Sequence, residues 1–275
     1  MHVAALGLSP LKGGSAHHPD RLLLAAHGVV GDRRFCCVDP AARRVLRTVE
    51  NPALLALRVQ VHDPGTGPST DPGTALTLHV PGRAPVTAPV VPAGRLRADY
   101  WGREPELTLL DGPWADLLSA HLGRRVVLAE AAPRDVVYAG GVTVVTTSSL
   151  REVARRAGLD PAPDDLLADA ERWRANVVVD TGDAPAFVED AWVGGSLRLG
   201  GARLQVRAGV PRCAVVRLRP RHGAREGWDP LGLLVPDRLR DQEVVFGLDA
   251  EVQQPGDMAV GAPVEVAVGA PGEAG

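Results

Sequence analysis

Cys213 is the residue of this sequence with the most distinctive potential chemistry. It follows the loop Gly209 to Arg212, and the apolar run Ala214 to Leu218, which we expect to form a strand, begins directly after it. The thiolate form of cysteine binds soft metals or carries sulfur, and the neighbouring Arg212 guanidinium favours that form. The alternative is a small, buried apolar side chain without a chemical role. We expect the Cys213 thiol to lie at the mouth of a strand.

The other two cysteines, Cys36 and Cys37, lie within the apolar run Phe35 to Val38, and we expect both to be core residues. With three cysteines in total, the sequence cannot build a disulfide framework, a four-cysteine metal site or an iron–sulfur cluster. Any cysteine chemistry therefore depends on a single thiol.

A second group of polar side chains lies in the sequence RWRAN, which enters the apolar strand Val177 to Val179. Strand alternation would place Arg172, Arg174 and Asn176 on one face. Two guanidinium groups and an amide on one face can bind phosphate oxygens or the acceptors of a ring. A solvent-exposed face with a salt bridge is an equally good explanation of the same pattern.

Two acidic residues, Glu189 and Asp190, follow this group in the sequence. They can either pair with Arg172 and Arg174 or lie near a ligand. We favour pairing, because charged residues are rarely buried without a partner.

Two turns near the N-terminus add candidate anion-binding residues. The sequence PLKGG combines Lys12 with glycines that let backbone amides approach an anion. Gly31 to Arg34 is a turn ahead of the strand Phe35 to Val38, and its Arg33 is either a ligand clamp or a surface charge. Neither turn contains the full phosphate-loop motif, so a glycine turn with a surface lysine is the alternative explanation.

The elements that must position these residues are mainly β-strands with a few helices. Short apolar runs separated by glycine or proline recur along the chain, and this spacing favours a barrel. A helix is predicted over Pro113 to Leu122, with Gly123 as its stop. Another helix is predicted from Ser149, which forms a capping-box pattern with Glu152.

The domain organisation follows from the texture of the chain. Asp63 to Pro72 is rich in glycine and proline and is expected to be an exposed connector, while the tail Gly269 to Gly275 is expected to be frayed. We predict a small β-domain over residues 1–85, packed on a larger β-barrel over residues 86–270 with the two helices at its side. The two form a single functional unit.

Composition excludes several classes of function. The formal net charge of -3 gives no general attraction to nucleic acid or to a membrane surface. No apolar run reaches the roughly 18 residues of a membrane span, and Met1 to Pro10 lacks the charged start and cleavage site of a signal peptide. We expect a cytoplasmic protein that acts on a small molecule.

In their order along the chain, these motifs resemble the MOSC family, named after the C-terminal domain of molybdenum cofactor sulfurase, including its N-terminal β-barrel domain. PLKGG resembles the family's P-x-K start, and GDRRFCCVD its G-x-x-x-D-R strand. TSSL at a helix start, RWRAN for R-F-R-P-N, FVEDAW for F-x-E-D-x-W and PRC for R-C follow at familiar intervals. Gly13, Ala175 and Val49 depart from the family pattern. Because the motifs keep their order, the resemblance extends over nearly the whole chain.

The resemblance implies a fold and a ligand. The expected fold is a MOSC-type β-barrel with a smaller N-terminal β-domain, and the expected ligand is the molybdenum cofactor, a molybdopterin. Cys213 would ligate molybdenum or carry sulfur destined for it. The residues expected to hold the cofactor are Lys12, Arg33, Thr147, Ser148, Arg172, Arg174, Asn176 and Arg212.

Two functions are compatible with this resemblance. One is a molybdenum-dependent oxidoreductase, similar to the mitochondrial amidoxime-reducing component and its bacterial relatives, which reduces N-hydroxylated or N-oxide substrates. Without cysteines for an iron–sulfur domain, it would need an external flavoprotein, ferredoxin or cytochrome as electron donor. The alternative is a carrier that passes sulfurated cofactor, or a Cys213 persulfide, to another enzyme. Pyridoxal phosphate is a family association only, so a separate cysteine desulfurase would supply that sulfur.

Overall fold

The computed structural model describes residues 1–62, 73–137 and 140–268. The predicted connector Asp63 to Pro72 and the predicted frayed tail Gly269 to Gly275 lie outside these residues. Strands dominate the part of the chain that is described, which confirms the predicted fold class. No helix within the described ranges is both long enough and apolar enough to cross a membrane.

The described elements alternate short strands with brief helices. The strands are β1 (His2–Leu6), β2 (Arg21–Ala25), β3 (Gly28–Val29), β4 (Phe35–Asp39), β5 (Arg44–Val45), β6 (Arg58–His62), β7 (Ala75–His79), β8 (Val86–Pro89), β9 (Val91–Arg97), β10 (Glu106–Asp111), β11 (Val127–Glu130), β12 (Val142–Thr146), β13 (Val177–Asp180), β14 (Ser196–Leu199), β15 (Ala202–Pro211), β16 (Leu239–Arg240), β17 (Glu243–Gln254), β18 (Gly256–Ala259) and β19 (Val264–Ala267). The α-helices are α1 (Trp114–Leu122), α2 (Thr147–Arg156), α3 (Pro163–Asp169) and α4 (Pro230–Arg238). Single 3-10 turns cover Pro52–Ala56, Ala170–Trp173, Val188–Trp192 and Ala214–Arg217.

The largest sheet is a nearly closed barrel with the strand order β1-β13-β12-β17-β15-β14-β19. The two ends of this order approach each other, because the backbone N–H of Val3 donates to the carbonyl of Ala262 at 2.9 Å and His2 forms a bridge with Pro263. Alternate residues of each strand point inward, as strand geometry requires. The barrel interior includes Val142, Val144, Val177, Val179, Leu197, Leu199, Leu204, Val206, Leu248 and Ala250.

Strands β12 and β13 are buried on both faces, which explains why their sequences are continuous apolar runs. Their outer face packs against the helices through Val145, Val178 and Trp173. Helix α2 begins at Thr147, two positions before the predicted Ser149. Its cap is Thr146, whose hydroxyl accepts a hydrogen bond from the backbone N–H of Ser149 at 3.3 Å.

A second sheet, with the order β5-β4-β11-β10-β9, stands beside the barrel, and α1 packs on it through Trp114 and Leu118. Helix α1 ends at Gly123, which has the left-handed φ of 66° that terminates many helices, so this helix prediction is confirmed. Smaller sheets are formed by β6-β7-β8 and β18-β2-β3. The division at residue 85 stays a prediction, and strands from either side of it pair in the barrel and in the second sheet.

The predicted strand Ala214 to Leu218 is wrong. Strand β15 already ends at Pro211, and Ala214–Arg217 is a 3-10 turn. The first hydrogen bond of this turn is donated by the Val216 N–H to the Cys213 carbonyl at 3.3 Å. The run is apolar because Val216 packs into the helical layer, and an apolar run of this length does not distinguish a strand from a buried turn. In contrast, Cys36 and Cys37 are buried in β4, as predicted.

Candidate anion-binding cleft with an exposed thiol

A cavity of about 820 Å³ lies between one end of the barrel and the second sheet. The barrel side contributes the RWRAN segment and the segment from Val210 to Cys213, and the N-terminal side contributes Lys12 and the turn Gly31 to Arg34. The second sheet contributes Arg95, Glu106 and Thr108, among others. Segments far apart in the sequence therefore meet at this one cleft.

Cys213 is exposed at this cavity, directly after the end of β15. The backbone N–H of the preceding Arg212 donates to the carbonyl of Val244 at 2.8 Å, which ties the loop to the neighbouring strand β17. The thiol thus lies where a strand ends, whereas the sequence predicted a strand beginning there. A negative charge on its sulfur would raise the pKa values of Lys12, Arg174 and Arg212, so these three cations lie within electrostatic reach of the thiol.

Arg174 adopts a left-handed backbone conformation, with a φ of 53°, between the 3-10 turn Ala170–Trp173 and strand β13. Its Nη1 donates to the carbonyl of Gly14 at 2.8 Å, which joins the barrel to the N-terminal PLKGG turn. Its Nη2 is buried and has no partner among the described residues. Burial lowers the pKa of this guanidinium, so its charge lacks full solvation in the protein alone.

Arg212 is held in a similar way. Its Nε donates to the carbonyl of Phe246 and its Nη1 to the carbonyl of Trp173, both at 2.7 Å, while its Nη2 is buried and unpartnered within the described chain. The guanidinium occupies space that a side chain at Gly247 would need, because a Cβ built there would lie 3.0 Å from Nη2 and 2.7 Å from the carbonyl oxygen of Val144. Burial lowers the pKa of Arg212 to about 10.

Lys12 extends over the ring of Tyr100, with its Nζ 5.4 Å from the ring centre. No carboxylate of the described residues forms an ion pair with it. Burial, together with the charges of Arg174 and Arg33, lowers its pKa to about 7. The amine thus exchanges its proton near neutral pH, and an anion bound beside it would favour the charged form.

Asp32 is a residue of this cleft that the sequence analysis did not single out. One carboxylate oxygen accepts from the backbone N–H of Ser9 at 2.9 Å, and the other accepts from the Asn176 amide at 3.0 Å and pairs with Arg33. The sequence did contain a signal for Asp32, because this residue is the aspartate of the D-R motif. Only the fold, however, brings its three partners together. Arg33 also donates to the Arg174 carbonyl at 3.2 Å, and burial lowers its pKa to about 9.

Asn176 borders the cavity but has its amide hydrogens engaged elsewhere. Its Nδ2 donates to the Gly7 carbonyl at 3.1 Å and to Asp32 at 3.0 Å, and its Oδ1 accepts from the Thr143 N–H at 3.0 Å. An amide has two N–H donors, and both are used. Asn176 therefore positions Asp32 and the start of β13, which differs from the cofactor contact expected from the sequence.

Arg172 also differs from its expected role. Its Nε donates to Asp169, its Nη1 to the carbonyls of Val216 and Leu218, and its Nη2 to Asp169 and Glu226. A guanidinium has five N–H donors, and all five are used. Arg172 lies in a 3-10 turn and Arg174 in a left-handed position, so the strand-face argument that grouped them was wrong, although both residues line the cavity.

Thr147 and Ser148 are not brought to the cavity with the other predicted residues. The Thr147 hydroxyl donates to Asp180 at 2.8 Å, and the Ser148 hydroxyl accepts from Thr181 at 3.0 Å, so both organise the start of α2. The acidic pair also has other partners than expected. Asp190 pairs with Arg238, while Glu189 accepts from the hydroxyls of Thr146 and Ser149, each at 2.8 Å.

The cleft therefore combines an exposed thiol with several cationic side chains. Of Lys12, Arg33, Arg174 and Arg212, only Arg33 has a carboxylate partner among the described residues. Such a site favours an anion with several oxygen atoms. Within the described residues no cluster of three or more His, Cys, Asp or Glu side chains could hold a metal ion. A metal here would therefore depend on Cys213 and on ligands that arrive with a cofactor.

Comparison with known families adds an independent result, because residues 137–265 match the model of the MOSC domain. A MOSC domain is found at residues 137–265. Strands β12 to β17, the RWRAN segment and Cys213 all lie within the MOSC domain, whereas Lys12 and Arg33 precede it. MOSC domains are associated with binding of the molybdenum cofactor.

Two solved structures illustrate the similarity. The crystal structure of the YuaD protein from Bacillus subtilis shares 13% identity and has a TM-score of 0.40, with 96% of this chain and 93% of that chain covered. The crystal structure of YiiM from Geobacillus stearothermophilus shares 16% identity and has a TM-score of 0.32, with 46% of this chain and 54% of that chain covered. No curated protein matches the chain. The assignment of the MOSC domain rests on the family match.

Proposed function

We propose that this protein binds the molybdenum cofactor in the cleft, with the cofactor's phosphate among Lys12, Arg33, Arg174 and Arg212 and the metal at Cys213. The observation that carries the proposal is the pair of buried guanidinium nitrogens, Nη2 of Arg174 and of Arg212, that lack a partner among the described residues while lining a cavity beside an exposed thiol.

The physical reason is the cost of leaving charged donors unpaired. A buried donor without an acceptor costs about 1 to 3 kcal/mol, and more when it is charged. A phosphate supplies several acceptor oxygens and a negative charge, so one bound group would offset the cost at both guanidinium groups. Burial, and then the charge of Arg174, lowers the pKa values of Lys12 and Arg33, so the charged forms of these two groups also lack full solvation.

We further propose that the protein is an oxidoreductase that reduces N-hydroxylated or N-oxide substrates. The overall reaction converts an N-hydroxyl group, two electrons and two protons into an N–H group and water, with the electrons from an external flavoprotein, ferredoxin or cytochrome. When bound, the molybdenum cofactor supplies the oxygen-transfer and redox chemistry. The chain binds and orients it, and Lys12 Nζ, with a pKa lowered to about 7, can hold or release a proton at neutral pH.

A sulfur-carrier role is the second candidate, and the exposure of Cys213 supports it. A thiol that receives a sulfur atom from a cysteine desulfurase and passes it to another protein must be accessible to both partners. The nearby cations would favour the anionic persulfide that such a carrier holds. The two functions share the site and differ in what the thiol carries.

The test is elemental and sulfur analysis of protein purified from a host that makes the cofactor. We expect about one molybdenum per chain and turnover of an N-hydroxylated test compound with a chemical reductant. Absence of molybdenum together with sulfane sulfur that a thiol releases would favour the carrier. Absence of both would refute the proposed site.

A further inference from the structure

The structure describes all three cysteines, and Cys213 is the one that a small molecule in solution can reach. It is exposed at the cavity, whereas Cys36 and Cys37 are 0% and 1% exposed in strand β4. A thiol buried in a strand cannot meet a reagent or another thiol unless that strand unfolds. Any disulfide that Cys213 forms in the folded chain therefore contains a thiol from outside the chain.

The cations around Cys213 select the charge of that outside thiol. Lys12, Arg174 and Arg212 line the same cavity, and none of them has a carboxylate partner among the described residues. Arg174 and Arg212 are held in place by hydrogen bonds to backbone carbonyls, while Nη2 of each is buried and has no partner within the described chain. Fixed positive charges of this kind attract an anionic reagent, and they stabilise the thiolate that attacks a disulfide.

The cavity has room for a molecule larger than phosphate. Its volume of about 820 Å³ lies within the range of small-molecule sites. On the wall formed by the second sheet, Arg95 of β9 and Glu130 of β11 each lie directly opposite Thr108 of β10, so the three side chains share one face. This row offers a cation, a hydroxyl and a carboxylate. Together the two walls suit a thiol compound that carries both carboxylates and an ammonium group, as short peptides do.

We propose that Cys213 is a modification site, at which the cofactor-free chain forms a mixed disulfide with a small, anionic peptide thiol. The Cys213 thiolate attacks one sulfur atom of the disulfide form of that thiol. A new S–S bond joins Cys213 to one half of the reagent, the old S–S bond breaks, and the other half leaves as a thiolate that takes up the proton lost by Cys213. The reagent disulfide is itself the oxidant. The inference goes beyond the proposed function, because it requires neither molybdenum nor a persulfide.

The experiment compares three disulfides on the full chain purified without cofactor. Glutathione disulfide is anionic, bis(2-hydroxyethyl) disulfide is neutral and cystamine is cationic. Mass spectrometry of the intact protein gives each rate, which is divided by the rate of the same disulfide with the neutral thiol 2-mercaptoethanol to remove the reagent's own reactivity. This relative rate should be about tenfold or more higher for glutathione disulfide than for the neutral disulfide, since one contact to a charged group is worth about that factor. It should be lowest for cystamine, and Cys213→Ser should stay unmodified.

Arg174→Met and Arg198→Met are matched variants, because each removes one cation. Arg198 is exposed in β14, pairs with Glu265 and is not among the residues that line the cavity. The preference for glutathione disulfide over the neutral disulfide should fall by about tenfold in Arg174→Met and stay unchanged in Arg198→Met.

Two results on the unmodified chain would overturn the inference, whether or not Arg174→Met folds. One is an equal relative rate for the anionic and the neutral disulfide, and the other is modification of Cys36 or Cys37 in place of Cys213. An equal loss of preference in Arg174→Met and Arg198→Met would also overturn it, because the selection would then come from overall charge. A chain that binds no molybdenum would refute the proposed function and leave this inference intact, because the disulfide reaction is measured without cofactor.

Discussion

Nη1 of Arg172 donates a hydrogen bond of 3.0 Å to the backbone carbonyl of Val216, in the turn that follows Cys213. The same nitrogen donates to the carbonyl of Leu218 at 3.1 Å. Arg172 thereby fixes the turn after the thiol to the segment that enters β13. The two arginines of one motif thus differ, since Arg172 holds the loop of the thiol while Nη2 of Arg174 has no partner among the described residues.

The first prediction separates these two arginines. Arg174→Met should weaken phosphate binding by roughly one to two decades, because a contact to a charged group is worth about 1.5 to 3 kcal/mol. Its stability should change by about 1 kcal/mol, the worth of the single hydrogen bond to Gly14. Calorimetric titration and urea unfolding measure the two quantities.

Arg172→Met is the matched variant. Compared with Arg174→Met, it should lose more stability and less affinity for phosphate. It removes the buried cation that pairs with Asp169 and Glu226 and leaves two backbone carbonyls without this donor, so the free energy of unfolding should fall by about 3 to 5 kcal/mol. Equal stability losses in the two variants would contradict the division of roles. So would loss of phosphate affinity in a well-folded Arg172→Met protein.

The second prediction concerns the thiol. Cys213→Ser should fold normally, because the residue is exposed, but it should lose molybdenum and any persulfide, since serine lacks the soft, easily ionised sulfur. Cys37→Ala is the control, because Cys37 is buried in β4. It should cost about 1 kcal/mol through a small cavity and keep the metal. Full molybdenum content in Cys213→Ser would exclude the thiol as a ligand.

The third prediction is a pH dependence of stability caused by Lys12. Its pKa is lowered to about 7 in the folded chain from the ordinary lysine value of 10.5. Below pH 7 the amine is charged in both states, and the cost of burying that charge is fully present. Between these two values the unfolded chain binds more protons, so stability rises with pH by up to about 1.4 kcal/mol per pH unit from this group.

Lys12→Met should lack this rise. The free energy of unfolding of the unmodified chain, minus that of the variant, should therefore increase between pH 7 and pH 9, as measured by urea unfolding. Saturating phosphate should reduce the difference, because a bound anion favours the protonated amine. Parallel pH profiles for the two proteins would show that Lys12 titrates normally.

The fourth prediction tests the buried carboxylate of Asp32 and its three partners. Asp32→Asn keeps the size of the side chain but removes the charge that pairs with Arg33 and replaces one acceptor oxygen with N–H donors. Breaking a buried pair should cost about 3 to 5 kcal/mol of stability. The urea midpoint measures this loss, and Arg95→Gln, which breaks an exposed pair with Glu106, should cost about 1 kcal/mol or less. Similar losses of stability in the two variants would show that the buried pair of Asp32 contributes no more than an exposed pair.

The sequence alone predicted the mainly β fold, helix α1, the burial of Cys36 and Cys37, and the MOSC domain. These predictions succeeded because each depends on a local pattern, either a periodic apolar face, a stop at Gly123 or an ordered set of short motifs. The predicted start of α2 was shifted, since Thr146 and Ser149 carry similar hydroxyls and only the backbone conformation decides which one caps the helix.

The tertiary structure alone decided which polar residues have donors without a partner among the described residues. Arg172 and Arg174 are the same residue type in one motif. Two carbonyls and the carboxylates of Asp169 and Glu226 use all five donors of Arg172, whereas Nη2 of Arg174 has no partner among the described residues. Hydrogen-bond satisfaction depends on partners far away in the chain, and no local spacing encodes it. For the same reason, only the fold placed Asp32 beside the cations that the sequence had selected.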